Sequence, residues 1–266
     1  MGDKENKRVV ENGKERAATY MSQRRKILTE GLQRHIIFIL LTGIGGFLDA
    51  YTYLLRGKVF ANAQTGNLVL FGVNLLEKKI LAFSYLVPVA AFLTGILTAH
   101  LLQDKYGEKY YIDWKLLILI LETLAVFGIA WIKPDVKTNN VVNTFVSFIT
   151  ALQYGTFRTI NGKPFATTMC TGMLRSGMDH FYHYCKNIQP EKEWSLAILY
   201  FFMIGIFCIG CFSGSVFAAL LGQYASLICG GCFLGVIAIY IREKKKEKGK
   251  NAECANEVIV RKVETE

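Results

Sequence analysis

The stretch Gly57-Lys58-Val59-Phe60-Ala61-Asn62-Ala63-Gln64-Thr65-Gly66-Asn67-Leu68 interrupts an apolar part of the chain, and it has a counterpart further on. The counterpart reads Gly162-Lys163-Pro164-Phe165-Ala166-Thr167-Thr168-Met169-Cys170-Thr171-Gly172-Met173-Leu174. Each copy carries Gly-Lys-x-Phe-Ala and then Thr-Gly-x-Leu, with one extra residue in the second. Each also follows an apolar run that ends with a single polar side chain, Asp49 in the first copy and Gln153 in the second. Polar groups and glycines at membrane depth are costly unless protein or water satisfies them. A pair of such interruptions at corresponding positions of two halves points to the binding site of a transporter.

Working outward, the flanking runs are too long for a soluble domain. Of the 266 residues 52% are hydrophobic, with only four prolines, and the mean hydropathy is +0.28. Apolar runs cover about 35–55, 80–102, 116–132, 141–157, 194–213 and 215–241. Each approaches the roughly 20 residues that a helix needs to cross a bilayer. Gly43, Gly45 and Gly46 in the first run permit either close helix approach or a break. Pro88 and Gly95 interrupt the run at 80–102.

The segments after the two interruptions differ. Leu68–Leu76 is too short for a crossing, and residues 173–187 carry Arg175, Asp179, His180, His183 and Lys186. Both read as short or re-entrant helices starting near Thr65-Gly66 and Thr171-Gly172, with the threonines as N-caps. The expected fold is therefore all-α: a polytopic membrane helix bundle of about six full spans plus two short or re-entrant helices. It divides into two related halves, 35–133 and 140–241. Three spans per half make the pair an inverted repeat. Eight full spans with parallel repeats is the competing count.

Charge places the ends. The net charge is +10, and residues 1–34 hold nine Lys/Arg against five acids, while the tail 242–266 holds eight against six. Basic clusters beside membrane helices mark cytoplasmic faces and attract anionic lipid headgroups. Both termini are thus expected in the cytoplasm, against the inner leaflet of a cell membrane. The tails lack the aromatic interleaving of a nucleic-acid surface, so no nucleic acid is expected as a partner. The long charged segment before the first apolar run does not fit a cleavable signal peptide.

Several chemistries can be weighed. Cys208-x-x-Cys211 and Cys229-x-x-Cys232 match a zinc-ribbon spacing, yet both pairs lie inside apolar runs, where they read as packing residues. His180 and His183 share a helix face at i, i+3 but sit among aromatics, the composition of an interfacial belt. No metal and no cofactor is expected, and no enzyme constellation appears. Asp49 and Glu122 are acids inside apolar runs and need a partner, a proton or water. Arg56 and Arg158 are candidate partners. Asn62, Gln64, Thr65, Gly66, Asn67, Gln153, Arg158, Thr167, Thr168, Thr171 and Gly172 offer hydrogen bonds and free helix-start amides to a polar or anionic solute. Alternatively these groups satisfy only each other at a helix break.

At Gly46-Phe47-Leu48-Asp49-Ala50 and Phe60-Ala61-Asn62-Ala63-Gln64-Thr65-Gly66-Asn67 the chain resembles the YoaK-like family of uncharacterised bacterial membrane proteins. Leu152-Gln153-Tyr154, Ala166-Thr167-Thr168 and Thr171-Gly172 are similar in the second half. The resemblance covers about 35–240 and implies an inner-membrane protein without naming a substrate. Two functions remain open. One is a secondary transporter or permease for a small polar or anionic solute, with Asp49 and Glu122 available for proton or ion coupling. The other is a non-transporting scaffold or sensor. A homo-oligomer is compatible with both. The transporter reading expects the two breaks to meet near the bilayer centre around a wet, ligand-sized hollow.

Overall fold

The computed structural model of the chain describes residues 36–77, 82–106, 113–157, 159–160, 163–164 and 170–263. Phe38–Ile241 form one compact unit, and the described residues 36–37 and 242–263 fall in a second. In chain order the helices are α1 (Ile36–Leu55), α2 (Gln64–Glu77), α3 (Leu86–Tyr106), α4 (Trp114–Ile129), α5 (Val136–Thr156), α6 (Cys170–Cys185), α7 (Pro190–Leu221) and α8 (Ser226–Val263). A two-residue antiparallel ladder joins Thr159–Ile160 to Lys163–Pro164. The N-terminal tail lies outside the described residues. The C-terminal basic segment continues α8 as helix to Val263.

Among the described residues three stretches are long and apolar enough to cross a membrane: Ile36–Leu55, Phe83–Tyr106 and Pro190–Lys246. The third takes in α7 and α8 as far as Lys246, interrupted where Gly222 takes φ +57° and opens a 3-10 turn over Gly222–Ala225. The sequence reading put this break near residue 214, between two runs. Gly214 instead lies inside α7, because it is a packing glycine against α1 and not a turn residue. Pro88 occupies the first turn of α3, where its missing N–H costs nothing, so it starts the helix and does not break it. Asp113 and Asp135 cap α4 and α5 through side-chain acceptance of backbone N–H groups.

Large apolar side chains cover the outside. Leu93, Leu97 and Leu101 of α3 and Ile209, Phe212 and Leu220 of α7 are each at least 60% exposed. Such a surface is out of place in water and is compatible with an integral membrane protein. The interior is closed by small residues. A Cβ on Gly46 would overlap the Phe207 carbonyl oxygen, one on Gly210 would overlap that of Gly43, and one on Gly214 would sit 2.6 Å from that of Phe47. These contacts advance together along α1 and α7, so the two helices run parallel at backbone contact. The glycines of α1 serve close approach, not a break.

The same arrangement occurs between α3 and α5. A Cβ on Gly95 would lie 2.5 Å from the Phe148 carbonyl oxygen, and one on Gly155 would lie 2.5 Å from Ala99 Cβ. This pair also runs parallel. By contrast α1 and α5 run antiparallel, touching through the Phe38–Phe157 ring pair at one end and through Asn143 on the Arg56 carbonyl at the other. Helices α4 and α8 are antiparallel too, with Phe127 against Gly230 and the Tyr240 hydroxyl donating to Asp113 Oδ1 at 3.0 Å. The short helix α6 lies along α7, and α2 lies against the start of α3, with Phe71 and Phe83 in edge contact.

Candidate functional site

The chain leaves α1 at Leu55 and turns sharply. Gly57 at φ +87° and Lys58 at φ +64° place it in the left-handed region, where a glycine first position relieves strain. It then runs back along α1. Asp49 Oδ1 accepts the Asn62 backbone N–H at 2.6 Å, and Asn62 Nδ2 donates to the Gly45 carbonyl at 3.1 Å. The turn is pinned to α5 as well, by Ser147 Oγ on the Ala61 carbonyl and Asn143 Nδ2 on the Arg56 carbonyl. A non-helical segment thus lies beside the apolar helix α1 with backbone groups satisfied by protein, as burial demands.

Asn67 closes the loop. Its Oδ1 accepts from the Phe60 N–H, and its Nδ2 donates to the Phe60 carbonyl and to Gln64 Oε1, all within 2.8–2.9 Å. Gln64 Nε2 donates to the Ala61 carbonyl at 2.9 Å. The Phe60 ring covers Gly66, where a Cβ would lie 2.7 Å from a ring carbon, and stacks on Tyr53. Asn62, Gln64, Asn67 and Gly66, read from sequence as candidate ligand contacts, therefore hold the helix break together. Helices α2 and α6 start one residue before each threonine, at Gln64 and Cys170. Thr65 is thus in the first turn and not its cap, because the Ala63 carbonyl already accepts from the Gly66 and Asn67 amides. Thr65, Thr171 and Gly172 lie on exposed surface.

What remains unsatisfied is more informative. Among the described residues Thr42 Oγ1, Asp49 Oδ2, Gln153 Nε2 and both carboxyl oxygens of Glu122 are sealed from solvent with no hydrogen-bond partner. Asp49 and Glu122 are only 3% and 1% exposed. Thr42 and Asp49 share one face of α1, two helical turns apart. Of the second interruption, residues 165–169 lie outside the described residues. Arg158, Thr167 and Thr168 lie outside the described residues. Thr42 was missed from the sequence. Its position two turns before Asp49 was the available signal.

Arg56 is not the partner of Asp49. It lies beyond the end of α1 and is fully buried, donating from one terminal nitrogen to the Tyr51 hydroxyl and to the Ile129 carbonyl, each at 2.9 Å. The carbonyls at the C-terminal end of α4 carry partial negative charge, which suits a cation. Gln223 donates to the neighbouring Ala130 carbonyl and Tyr51 to the Gln223 carbonyl, so the turn between α7 and α8 closes the same cluster. Among the described residues no ion pair joins Asp49 or Glu122 to a basic side chain.

Residues 37–240 match a family described as "Protein of unknown function (DUF1275)". No curated protein and no solved structure matches the chain.

Proposed function

We propose, for a chain that belongs to the DUF1275 family, a secondary transporter or permease that moves a small polar or anionic solute and couples to protons through Asp49 and Glu122. One observation carries this reading: Thr42, Asp49, Gln153 and Glu122 keep unpartnered polar atoms inside the bundle. Buried polar groups are nearly always hydrogen-bonded in folded proteins, so an unpaired set calls for a missing partner. A polar solute, a proton or trapped water supplies it. Asp49 and Gln153 belong to corresponding helices, α1 and α5, which suits a site shared by two halves.

The helix directions support an inverted repeat. Exchanging α1–α4 for α5–α8 turns the parallel pair α1 and α7 into the parallel pair α5 and α3, each packed on glycines. The corresponding helices α1 and α5 are antiparallel, as are α4 and α8. Two oppositely directed halves need an odd number of crossings each, which favours six spans with α2 and α6 as half-helices. Helix α2 is 14 residues long, about 21 Å at 1.5 Å per residue and less than a hydrocarbon core of roughly 30 Å. In this reading the basic tails face the cytoplasm at an inner cell membrane against anionic headgroups, and the family membership accords with the YoaK-like group. The arrangement allows a homo-oligomer.

Asp49→Asn tests the proposal because Asn keeps an acceptor for the Asn62 amide and so preserves the loop. A thermal-shift panel of polar and anionic metabolites on the detergent-purified protein should raise the melting temperature of the wild type for at least one compound. The shift and the corresponding uptake into proteoliposomes should fall at least about tenfold in Asp49→Asn, while the unliganded melting temperature changes by no more than a net hydrogen bond of about 1 kcal/mol implies. Uptake unchanged in Asp49→Asn would remove Asp49 from the path. One feature favours a scaffold or sensor as the second reading: the basic segment after Ile241 is itself helical, to Val263, beyond the apolar part of the chain.

A further inference from the structure

The hairpin of α6 and α7 holds a cluster that transport does not use. His180 and His183 lie on α6 at i, i+3, and Glu193 lies in the first turn of α7. Glu193 Oε2 is 2.6 Å from His180 Nδ1 and 3.7 Å from His183 Nδ1, and one ligand atom from each residue falls within 4.8 Å of the others. The turn that produces this meeting is built for it. The amides of Lys186, Asn187 and Ile188 bond back to the Tyr182, Tyr184 and His183 carbonyls, Asn187 and Gln189 take positive φ, and Pro190 opens α7. Gly177 lets α6 lie close on Tyr200 and Phe201, and the His180 ring stacks on the Tyr200 ring at 12°. The imidazole is thereby fixed in orientation before any ligand arrives.

The geometry points to a binding site for a divalent transition-metal ion of the Zn2+ class on His180 Nδ1, His183 Nδ1 and Glu193 Oε2. Two imidazoles and one carboxylate are a borderline nitrogen and oxygen set, which suits Zn2+ and its neighbours better than Mg2+ or Ca2+. With bonds of 2.0–2.1 Å the ligand atoms of a tetrahedral site stand about 3.3 Å apart. The 2.6 Å and 3.7 Å separations from Glu193 bracket that spacing, and all three ligand atoms lie within 4.8 Å of one another. Three protein ligands leave the fourth position to water, and side-chain exposures of 20%, 48% and 13% leave the ion a way in. A histidine-carboxylate hydrogen bond alone explains His180 and Glu193, but it does not explain His183 turned towards the same oxygen. The ion would clamp α6 to α7.

The test uses full-length protein in detergent with its purification tag removed and no chelator. Titration calorimetry with ZnCl2 should give one site of micromolar affinity or tighter, and MgCl2 should give none. His183→Ala, at a half-exposed position, should fold normally and weaken Zn2+ binding at least about 100-fold, while Cys185→Ser should leave it unchanged. X-ray absorption of the Zn2+ complex should show nitrogen and oxygen neighbours near 2.0–2.1 Å and no sulfur near 2.3 Å. Equal binding by wild type and His183→Ala, absence of a saturable site, or sulfur in the shell would each overturn the proposal. The solute path is unaffected by any of these results, because Asp49 and Gln153 are not among the ligands.

Discussion

Gly210→Ala destabilises the folded protein by about 1–3 kcal/mol, whereas Gly205→Ala on the same helix is neutral or stabilising by up to about 1 kcal/mol. The chemical change is identical, one methyl group. At Gly210 that methyl would overlap the Gly43 carbonyl, while at Gly205 nothing lies within 4 Å. Overpacking against a side chain can be relieved by a rotamer change. Overpacking against backbone cannot, so α1 and α7 must separate and lose contacts at Gly46 and Gly214 as well. Helix association in lipid rests on such packing because no hydrophobic force drives one helix onto another. The comparison is read by unfolding both variants in mixed micelles with rising denaturing detergent, followed by tryptophan fluorescence. Equal midpoints would show that the α1–α7 crossing is looser than described. Gly46→Ala is expected to behave like Gly210→Ala, and the double variant to lose less than the sum, since both open one interface.

Asn67→Ala costs about 2–5 kcal/mol and loosens the loop between α1 and α2, the second large effect. Its side chain satisfies both polar groups of the Phe60 backbone, and Asn67 is fully buried. Truncation leaves a part-buried donor and a part-buried acceptor of Phe60 unpaired, at about 1–3 kcal/mol each, together with the loss of the Gln64 contact. Asn74→Ala removes a single bond from a half-buried side chain to its own helix and should cost under about 1 kcal/mol. Limited proteolysis provides a second readout, since a released loop becomes cleavable near Lys58 well before global unfolding. An Asn67→Ala protein as stable and as resistant as Asn74→Ala would mean that the loop is held by something else. Loss of solute uptake in Asn67→Ala would report the loop, not a ligand contact, and only Asp49→Asn separates the two.

The polar residues of the first interruption show how far a sequence carries such an argument. Asn62, Gln64 and Asn67 were visible as uncharged groups in an apolar setting, but whether they face a ligand or each other depended on folded distances. Asn67 bonds Gln64 and the Phe60 backbone, Gln64 bonds the Ala61 carbonyl, and Asn62 bonds α1 at Gly45 and Asp49. Asp49 and Gln153 were visible as well, and each retains an unpartnered atom inside the bundle, as does Thr42, whose place two helical turns before Asp49 was the one signal for it. The boundary between α7 and α8 was misplaced because Ser213-Gly214-Ser215 resembles a break, although a glycine packed on a neighbouring helix carries the same letter as one in a turn. Its role is set by Phe47, far away in the chain.

Apolar run lengths, the two polar interruptions and the charge at the ends were determined by the sequence alone. Bilayer thickness, backbone hydrogen bonding and surface potential act on consecutive residues, so they leave a local trace. Partner choice leaves none. Arg56 found the Ile129 carbonyl across 73 residues of chain, and Glu193 reached two histidines on another helix. Only tertiary structure decided those meetings, because a buried polar atom takes whichever partner packing brings within about 3 Å.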